Sequence, residues 1–336
     1  MSDMSGSIIG VEVAEVSIRA VEVTRGRNPV LLRAGEVLLP PGAARDSEVL
    51  DADAVALGLS QLWAQAGFRR RKVVLSVANR RLLVREYTAP NLPAKQLRAA
   101  LPFEVEDLLP VPADRAVIDF YPLSIENQSA KGLLVAGAAE GIEGLIAALA
   151  KANLWVETVD LLPFGLARAV ARVIPDGSGP VAVASVGEHT TSFAVVVDGI
   201  PRYVRIVPVD VLPGLHALIA AEGGFDEAGP GSTSRRVLPT AAVAAHDPSI
   251  RDLVGRIRET LEFCARSAEA ISPGQLLLTG SLGLVPEVLA TLSGGINIDV
   301  RPLVPSDIVP LAGGLAAESL PASLTGALGV TLGVTR

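Results

Sequence analysis

Three short stretches of the chain carry residue types that could hold a phosphate. Gly10–Ser17 and Ser185–Thr191 each read as strand, tight turn, strand, with small residues at or beside the turn. Small residues let the backbone close on a ligand, and N–H dipoles at such turns favour anions. In this reading Gly10 and Gly187 allow the approach, while Ser17, Thr190 and Thr191 add hydroxyl donors. Glu12 is the carboxylate on the first turn's polar face, able to hold Mg²⁺ through water. The third stretch is Thr279-Gly280-Ser281-Leu282-Gly283, where a buried strand ends in a small-residue turn that feeds a helix. Each stretch alone also fits an ordinary turn, since Thr is common in strands. Three in this order carry more weight. His189, in the second turn, either touches a phosphate or is a surface turn histidine. Cys264, Trp63 and Trp155 read as packing residues. Phe103, flanked by Glu104, Glu106 and Asp107, is a core residue or part of an acid-rimmed groove.

The elements around these stretches repeat. Ile8–Val23 alternates apolar and polar residues about a break at Ala14–Glu15, which predicts a hairpin, and Val30–Leu39 a third strand. Asp53–Gly67 has helical periodicity and Val73–Val77 is a buried-strand run. From Val181 the pattern begins again: Val11-Glu12-Val13-Ala14-Glu15 aligns with Ala184-Ser185-Val186-Gly187-Glu188, and Asp198–Gly199 marks the next hairpin turn. Two such units suggest an internal duplication, against chance likeness of two apolar hairpins. Between them, Leu82–Asp160 reads strand, helix, strand, strand, helix, strand, its first helix opened by Pro93. Pro163–Val173 reads as helical. Later helices are expected over Leu212–Ala221, Asp252–Ile271, Pro286–Leu292, Leu311–Ala317 and Leu324–Leu328, strands over Gln275–Leu278 and Ile298–Leu303, and a Gly/Ser/Pro-rich loop over Glu222–Ser234.

Composition sets the outer limits. The chain has 336 residues, 49% hydrophobic, enough for more than one core. Mean hydropathy is +0.44, yet the greasiest windows are interrupted: Lys131–Trp155 by Glu140, Glu143 and Lys151, Ile308–Val334 by Pro310, Glu318 and Pro321. No basic stretch leading into an apolar one marks a secretory leader. One cysteine, Cys264, rules out an internal disulfide and a cysteine-based zinc site. The histidines at 189, 216 and 246 form no local metal motif. A net charge of −7 counts against nonspecific nucleic-acid binding. Arg69–Arg70–Arg71–Lys72 and Arg80–Arg81 are local exceptions, either solvated strand ends or a patch facing anionic lipid or a partner.

With these motifs in this order the chain resembles the actin-like ATPase superfamily, and within it the PilM family of type IV pilus assembly proteins, related to the division protein FtsA. The resemblance spans about Ile8 to Gly333. It is carried best by LPFEVEDLLPVPADRAVIDFYPL (Leu101–Leu123), DGIPRYVRIVPV (Asp198–Val209) and RIRETLEFCARS (Arg256–Ser267). It implies an α/β, actin-like (ribonuclease H-like) two-lobed fold: a first lobe over 1–81 and 161–180, an inserted α+β subdomain over 82–160, and a second lobe over 181–336 with the loop near 222–234. It implies ATP with Mg²⁺ at Gly10, Glu12, Ser17, Gly187, Thr190, Thr191, Gly280, Ser281 and Gly283. The departures bear on turnover. Glu12 and Ala14 stand where the family has Asp and Gly, Ser185 where the second turn has Asp, Leu162 where an acid is expected, and Ser281–Leu282 interrupt a glycine run. Losing the second-turn carboxylate removes an anchor for hydrated Mg²⁺, which counts against hydrolysis. The implied role is a cytoplasmic scaffold, peripheral at the inner membrane. It would hold the N-terminal tail of a PilN-like bitopic protein beside the insert, link it to the pilus motor ATPases and form a homo-oligomeric ring, with no nucleic-acid partner. The rivals are an active ATPase, an FtsA-like filament former, which usually ends in an amphipathic helix that Thr331–Arg336 does not provide, and a GspL-like secretion scaffold.

Overall fold

The structure is a computed structural model that describes residues 6–211, 248–266 and 270–333. The helix expected over Leu212–Ala221 and the loop over Glu222–Ser234 lie outside the described residues.

Two five-stranded sheets share one topology. The first is ordered β3 (Leu31–Leu38), β2 (Ser17–Thr24), β1 (Ser7–Val13), β6 (Lys72–Val77), β10 (Trp155–Leu161). The second is ordered β13 (Ile200–Pro208), β12 (Thr190–Val197), β11 (Val181–Val186), β14 (Gln275–Thr279), β15 (Asp299–Pro302). In each, the first three strands form an antiparallel meander and two more join in parallel. The hairpins close alike: Val13 pairs with Ile18 and Val186 with Thr191, and the next N–H, of Ala14 or Gly187, donates to the carbonyl of Ser17 or Thr190 at 3.0 Å. Glu12 and Ser185 therefore occupy equivalent places, as the sequence alignment expects. The Asp198–Gly199 turn takes positive φ at both residues (50° and 73°), the signature of a two-residue hairpin turn.

Between β6 and β10 the chain builds a separate antiparallel sheet, ordered β7 (Leu83–Pro90), β9 (Ser129–Ala138), β8 (Ala116–Glu126). Helix α2 (Ala94–Glu104) covers it around Leu101, Val105 and Leu134. The last strand read with this insert behaves differently: β10 pairs in parallel with β6 and completes the first sheet. The reason is α3 (Ala139–Lys151), which packs on α1 (Ala52–Ala66) and delivers the chain back to that sheet's edge as a parallel crossover. Helix α1 is capped by Asp51, whose carboxylate accepts from the N–H groups of Asp53 and Ala54, and it ends at Gly67 with φ 68°.

Helix α4 (Leu162–Val173) links the lobes. In the second, α5 (Pro248–Arg266), α6 (Pro286–Gly295) and α4 itself cover the sheet and a single turn α7 (Pro305–Ile308) follows β15, while α8 (Thr325–Thr331) crosses back to pack on β1, β2 and β6 of the first sheet and on α4. Leu311–Ala317 is not the expected helix. Leu311 bridges to Leu31 instead, and the Gly313–Gly314 turn breaks the run with φ 99° at Gly314. The α4–α8 crossing brings backbones together: a Cβ on Gly329 would lie 2.4 Å from the Gly165 carbonyl oxygen. Core residues fall into two large clusters, and Val16 from the tip of the first hairpin belongs to the second lobe's cluster.

Candidate functional site

The two hairpin tips meet at the interlobe cleft. Glu12 of β1 and Arg19 of β2 supply its floor, and Glu36 of β3, the next cross-strand neighbour in register, lines a second cavity. Arg19 Nη1 donates to Glu12 Oε1 and Nε to Glu36 Oε1, both at 3.0 Å. Glu36 also accepts from Ser17 Oγ at 2.6 Å and from Ser323 Oγ at 2.9 Å. Arg19 is 2% exposed and Glu12 8%. Burial works against the guanidinium's charge, but Glu36, Glu12 and Glu188 reverse this and hold its proton more tightly than in water. Burial raises the Glu12 pKa, Arg19 lowers it, and Glu188 and Glu36 add to the rise.

The second wall comes from the opposing turn. His189 Nε2 lies 2.6 Å from Glu15 Oε2, and its Nδ1 meets Asp210. The Glu15 hydrogen bond is the largest cause of a raised His189 pKa, with burial opposing and Asp210 adding. A tight hairpin, β4 (Ala44–Arg45) to β5 (Glu48–Val49), projects Asp46 into the cleft by placing Asp46 and Ser47 at φ 52° and 53°. Burial raises the Asp46 pKa, while the Arg80 N–H and the Thr190 hydroxyl, reaching from the other lobe, lower it. Leu162 also lines the cleft.

Of the nine residues expected to hold nucleotide, Glu12, Gly187, Thr190 and Ser281 line this cleft. Gly280 (φ 95°) and Ser281 also line a larger cavity of about 690 Å³ behind it, walled by Leu62, Leu284 and Leu320. The other four do not line the cleft. Gly10 is a correction: it lies under α8, where a Cβ would stand 2.0 Å from the Ala327 carbonyl oxygen. Its smallness serves packing between the lobes' crossing helix and β1. Ser17 is fully buried and committed to Glu36, Thr191 is fully buried, and Gly283 faces the Thr279 carbonyl.

The cleft does not fit a magnesium triphosphate as it stands. It encloses about 40 Å³, room for roughly two or three waters. Glu12, Glu15, Asp46 and Glu188 line it against Arg19 and His189, and Arg19 already serves two carboxylates. Among the described residues, no group of three or more His, Cys, Asp or Glu is placed to hold a metal ion.

A second depression runs beside the inserted sheet. It encloses about 310 Å³ between β8, α3 and α4, with Val117, Tyr121, Ile142, Val159 and Phe164 on its walls. Tyr121 stacks on Phe164 with ring centroids 5.2 Å apart, joining insert to linking helix. Asp160 and Arg168 form an ion pair there, and Arg168 Nε reaches the Gly329 carbonyl at 3.3 Å. Val117 and Tyr121 are 46% and 39% exposed. Phe103, 82% exposed on α2, lines neither site. Cys264 is buried, its thiol pushed up to about 11 by burial, in keeping with a core role.

The comparisons with known proteins agree with this architecture. A family model described as type IV pilus assembly protein PilM matches residues 10–333. A solved chain described as the PilM-PilN type IV pilus biogenesis complex superposes with a TM-score of 0.81 and 23% identity, covering 98% of each chain. The ethanolamine utilization protein EutJ from Carboxydothermus hydrogenoformans follows at 0.52 and 14% identity, over 97% of this chain and 89% of that one. The fold is actin-like, two lobes on related sheets about a cleft, and the chain belongs to the type IV pilus assembly protein PilM family.

Proposed function

We propose that this chain is a pilus-assembly scaffold that receives an extended segment of a PilN-like membrane protein in the depression between β8, α3 and α4. The observation that carries this reading is the partly exposed apolar wall, Val117 and Tyr121, on the outer strand of the inserted sheet. The chain's fold is shared with one solved as a PilM-PilN complex. An edge strand beside an apolar depression suits a peptide held by main-chain hydrogen bonds, with side-chain pockets setting register. Motor ATPases and copies of the chain in a ring are the further partners of the same reading. It places the chain on the cytoplasmic side of the membrane, peripheral to it; among the described residues no helix is long and apolar enough to cross.

The reading takes the three expected units, 1–81 with 161–180, 82–160 and 181–336, with two exceptions: β10, from the end of the second, and α8, from the end of the third, both pack with the first lobe's sheet. It keeps Glu12, Gly187, Thr190, Gly280 and Ser281 as the residues nearest any nucleotide, and gives turnover no part. The test is titration with a peptide copied from the N-terminus of the bitopic protein encoded beside this chain. Binding should weaken about tenfold in Tyr121→Ala, a loss of roughly 1.4 kcal/mol. No binding at high micromolar peptide, or equal binding by the variant, removes the reading.

A further inference from the structure

We propose that the chain docks directly on an anionic membrane surface through the end of the first sheet that lies opposite the cleft. Strand order puts this end together. β1 and β6 run in parallel from the same end, Ser7 pairs with Thr24, and Trp155 pairs with Lys72. The loop after β2, the loop before β6 and the start of β10 therefore share one edge, while the hairpin tip at Ala14–Ser17 lies at the other. Six cations stand exposed there: Arg25, Arg27, Arg69, Arg70, Arg71 and Lys72. Among them is Trp155, 63% exposed, whose N–H donates to the Arg71 carbonyl at 2.8 Å. The arginine loop is built into the fold, because the buried Trp63 donates its indole N–H to the Arg70 carbonyl at 2.8 Å.

The charge at this end runs against the whole. The chain carries −7, yet among the described residues the acid beside Arg25 and Lys72 is Glu157, 3.8 Å from both Arg25 Nη2 and Lys72 Nζ and itself 43% exposed. Pairs that long and that wet are weak, so Arg25 and Lys72 keep most of their field. Anionic lipid attracts such clusters, and an indole settles at the headgroup level where one face is wet and the other apolar. A nucleic acid would meet the same cations, but also the net negative charge of the molecule and one ring rather than a stacking platform. Geometry also links this end to the peptide depression. β10 is the sheet's free edge, starting at Trp155 and reaching the depression at Asp160 and Leu161, a run of about 20 Å at ~3.3 Å per residue. The proposal does not rest on the partner reading, because no peptide enters its test.

The experiment uses the full chain with vesicles of phosphatidylcholine alone and of phosphatidylcholine mixed with phosphatidylglycerol. Sedimentation and tryptophan emission are read at low and high salt. Trp63 is already buried, so a blue shift reports Trp155. Binding and a blue shift are expected with the anionic vesicles only, and both should fade with salt. Each cation removed should lower partitioning about fivefold, so Arg27→Gln, Arg69→Gln and Arg71→Gln together should lower it by about two orders of magnitude. Trp155→Ala keeps the charge, should weaken binding several-fold and should lose the shift. The wild-type lipid and salt dependence stands as a test even if the triple variant fails to fold. Equal binding to neutral vesicles, no binding to either, unchanged binding by the folded triple variant, or tighter binding to an oligonucleotide than to anionic vesicles at the same salt would each overturn the proposal.

Discussion

His189 of the second hairpin turn lies 2.6 Å from Glu15 of the first, bridging the lobes. The two residues sit one position apart in equivalent turns, so the lobes touch through matched parts. At the corresponding place in the first turn, Val16 crosses the other way into the second lobe's core. The joint is thus reciprocal: one turn sends an apolar residue across, the other an imidazole.

The imidazole makes the joint sensitive to pH. The groups facing it are Glu15 and Asp210, and both favour its charged form. A histidine with a raised folded pKa contributes its full stability below its unfolded value, about 6.5. That contribution fades as pH climbs through the folded value. His189→Gln should therefore cost most stability in mildly acidic solution and little in alkaline solution. Urea unfolding midpoints of wild type and variant at several pH values read this directly. A constant difference across that window would mean that His189 is not protonated in the joint.

The Glu12–Arg19–Glu36 ladder gives a second test. Removing the cation alone leaves two carboxylates buried near Glu188. Arg19→Met should cost about 3–5 kcal/mol, the usual penalty for breaking a buried ion pair from one side. Arg19→Lys should recover part of this, since an ammonium keeps the charge but cannot reach both acids in a fork. Glu12→Gln, Arg19→Met and Glu36→Gln combined should be less destabilising than Arg19→Met alone. Denaturant midpoints decide. If Arg19→Met unfolds at the wild-type midpoint, the ladder contributes no net stability.

Much of this site can be read from the residues, and some cannot. The hairpin alternation fixes that Glu12 and Ser185 are equivalent, and with the closing pair Val13–Ile18 it also places Arg19 opposite Glu12. A sequence reading that follows the rung one strand further reaches Glu36, a charged residue mid-strand. A carboxylate in mid-strand, where one face is buried, is itself the signal. Asp46 is harder to foresee. Its turn uses Asp-Ser at positive φ, where the usual signature is Asn-Gly or Asp-Gly. The strand Leu154–Asp160 is found correctly as a strand but assigned to the wrong sheet, because pairing partners depend on where α3 packs. The Leu311–Ala317 run looks helical from its small residues, but the Gly313–Gly314 pair breaks it and Leu311 pairs with Leu31 instead.

Gly10 separates packing from ligand binding. Its Cα faces the Ala327 carbonyl, and the atom in the way of a side chain is backbone rather than a movable tip. Gly10→Ala should destabilise the chain by roughly 1–3 kcal/mol or more, as overpacking against an unyielding neighbour does. Gly187→Ala meets one backbone oxygen at 2.9 Å and should cost less. Thermal unfolding of the two variants settles the order. The reverse ranking would mean that the close approach of α8 does not fix glycine at position 10.

Nucleotide chemistry is the last test. The cleft holds about 40 Å³ and four carboxylates line it. A triphosphate in this cleft would need the lobes to part, breaking the His189–Glu15 link, and would then approach acids that repel it. Release of phosphate from ATP with Mg²⁺ should therefore not rise above the rate without protein. Restoring the missing acid should not help. Ser185→Asp adds a charge to the cleft that Glu12 and Glu188 already line, without removing either, so it should lower the unfolding midpoint and leave phosphate release unchanged. A cation stronger than one shared guanidinium would be needed to gather that much negative charge. Magnesium-dependent turnover by the unaltered chain would show that the joint opens readily and that its acids serve a metal after all.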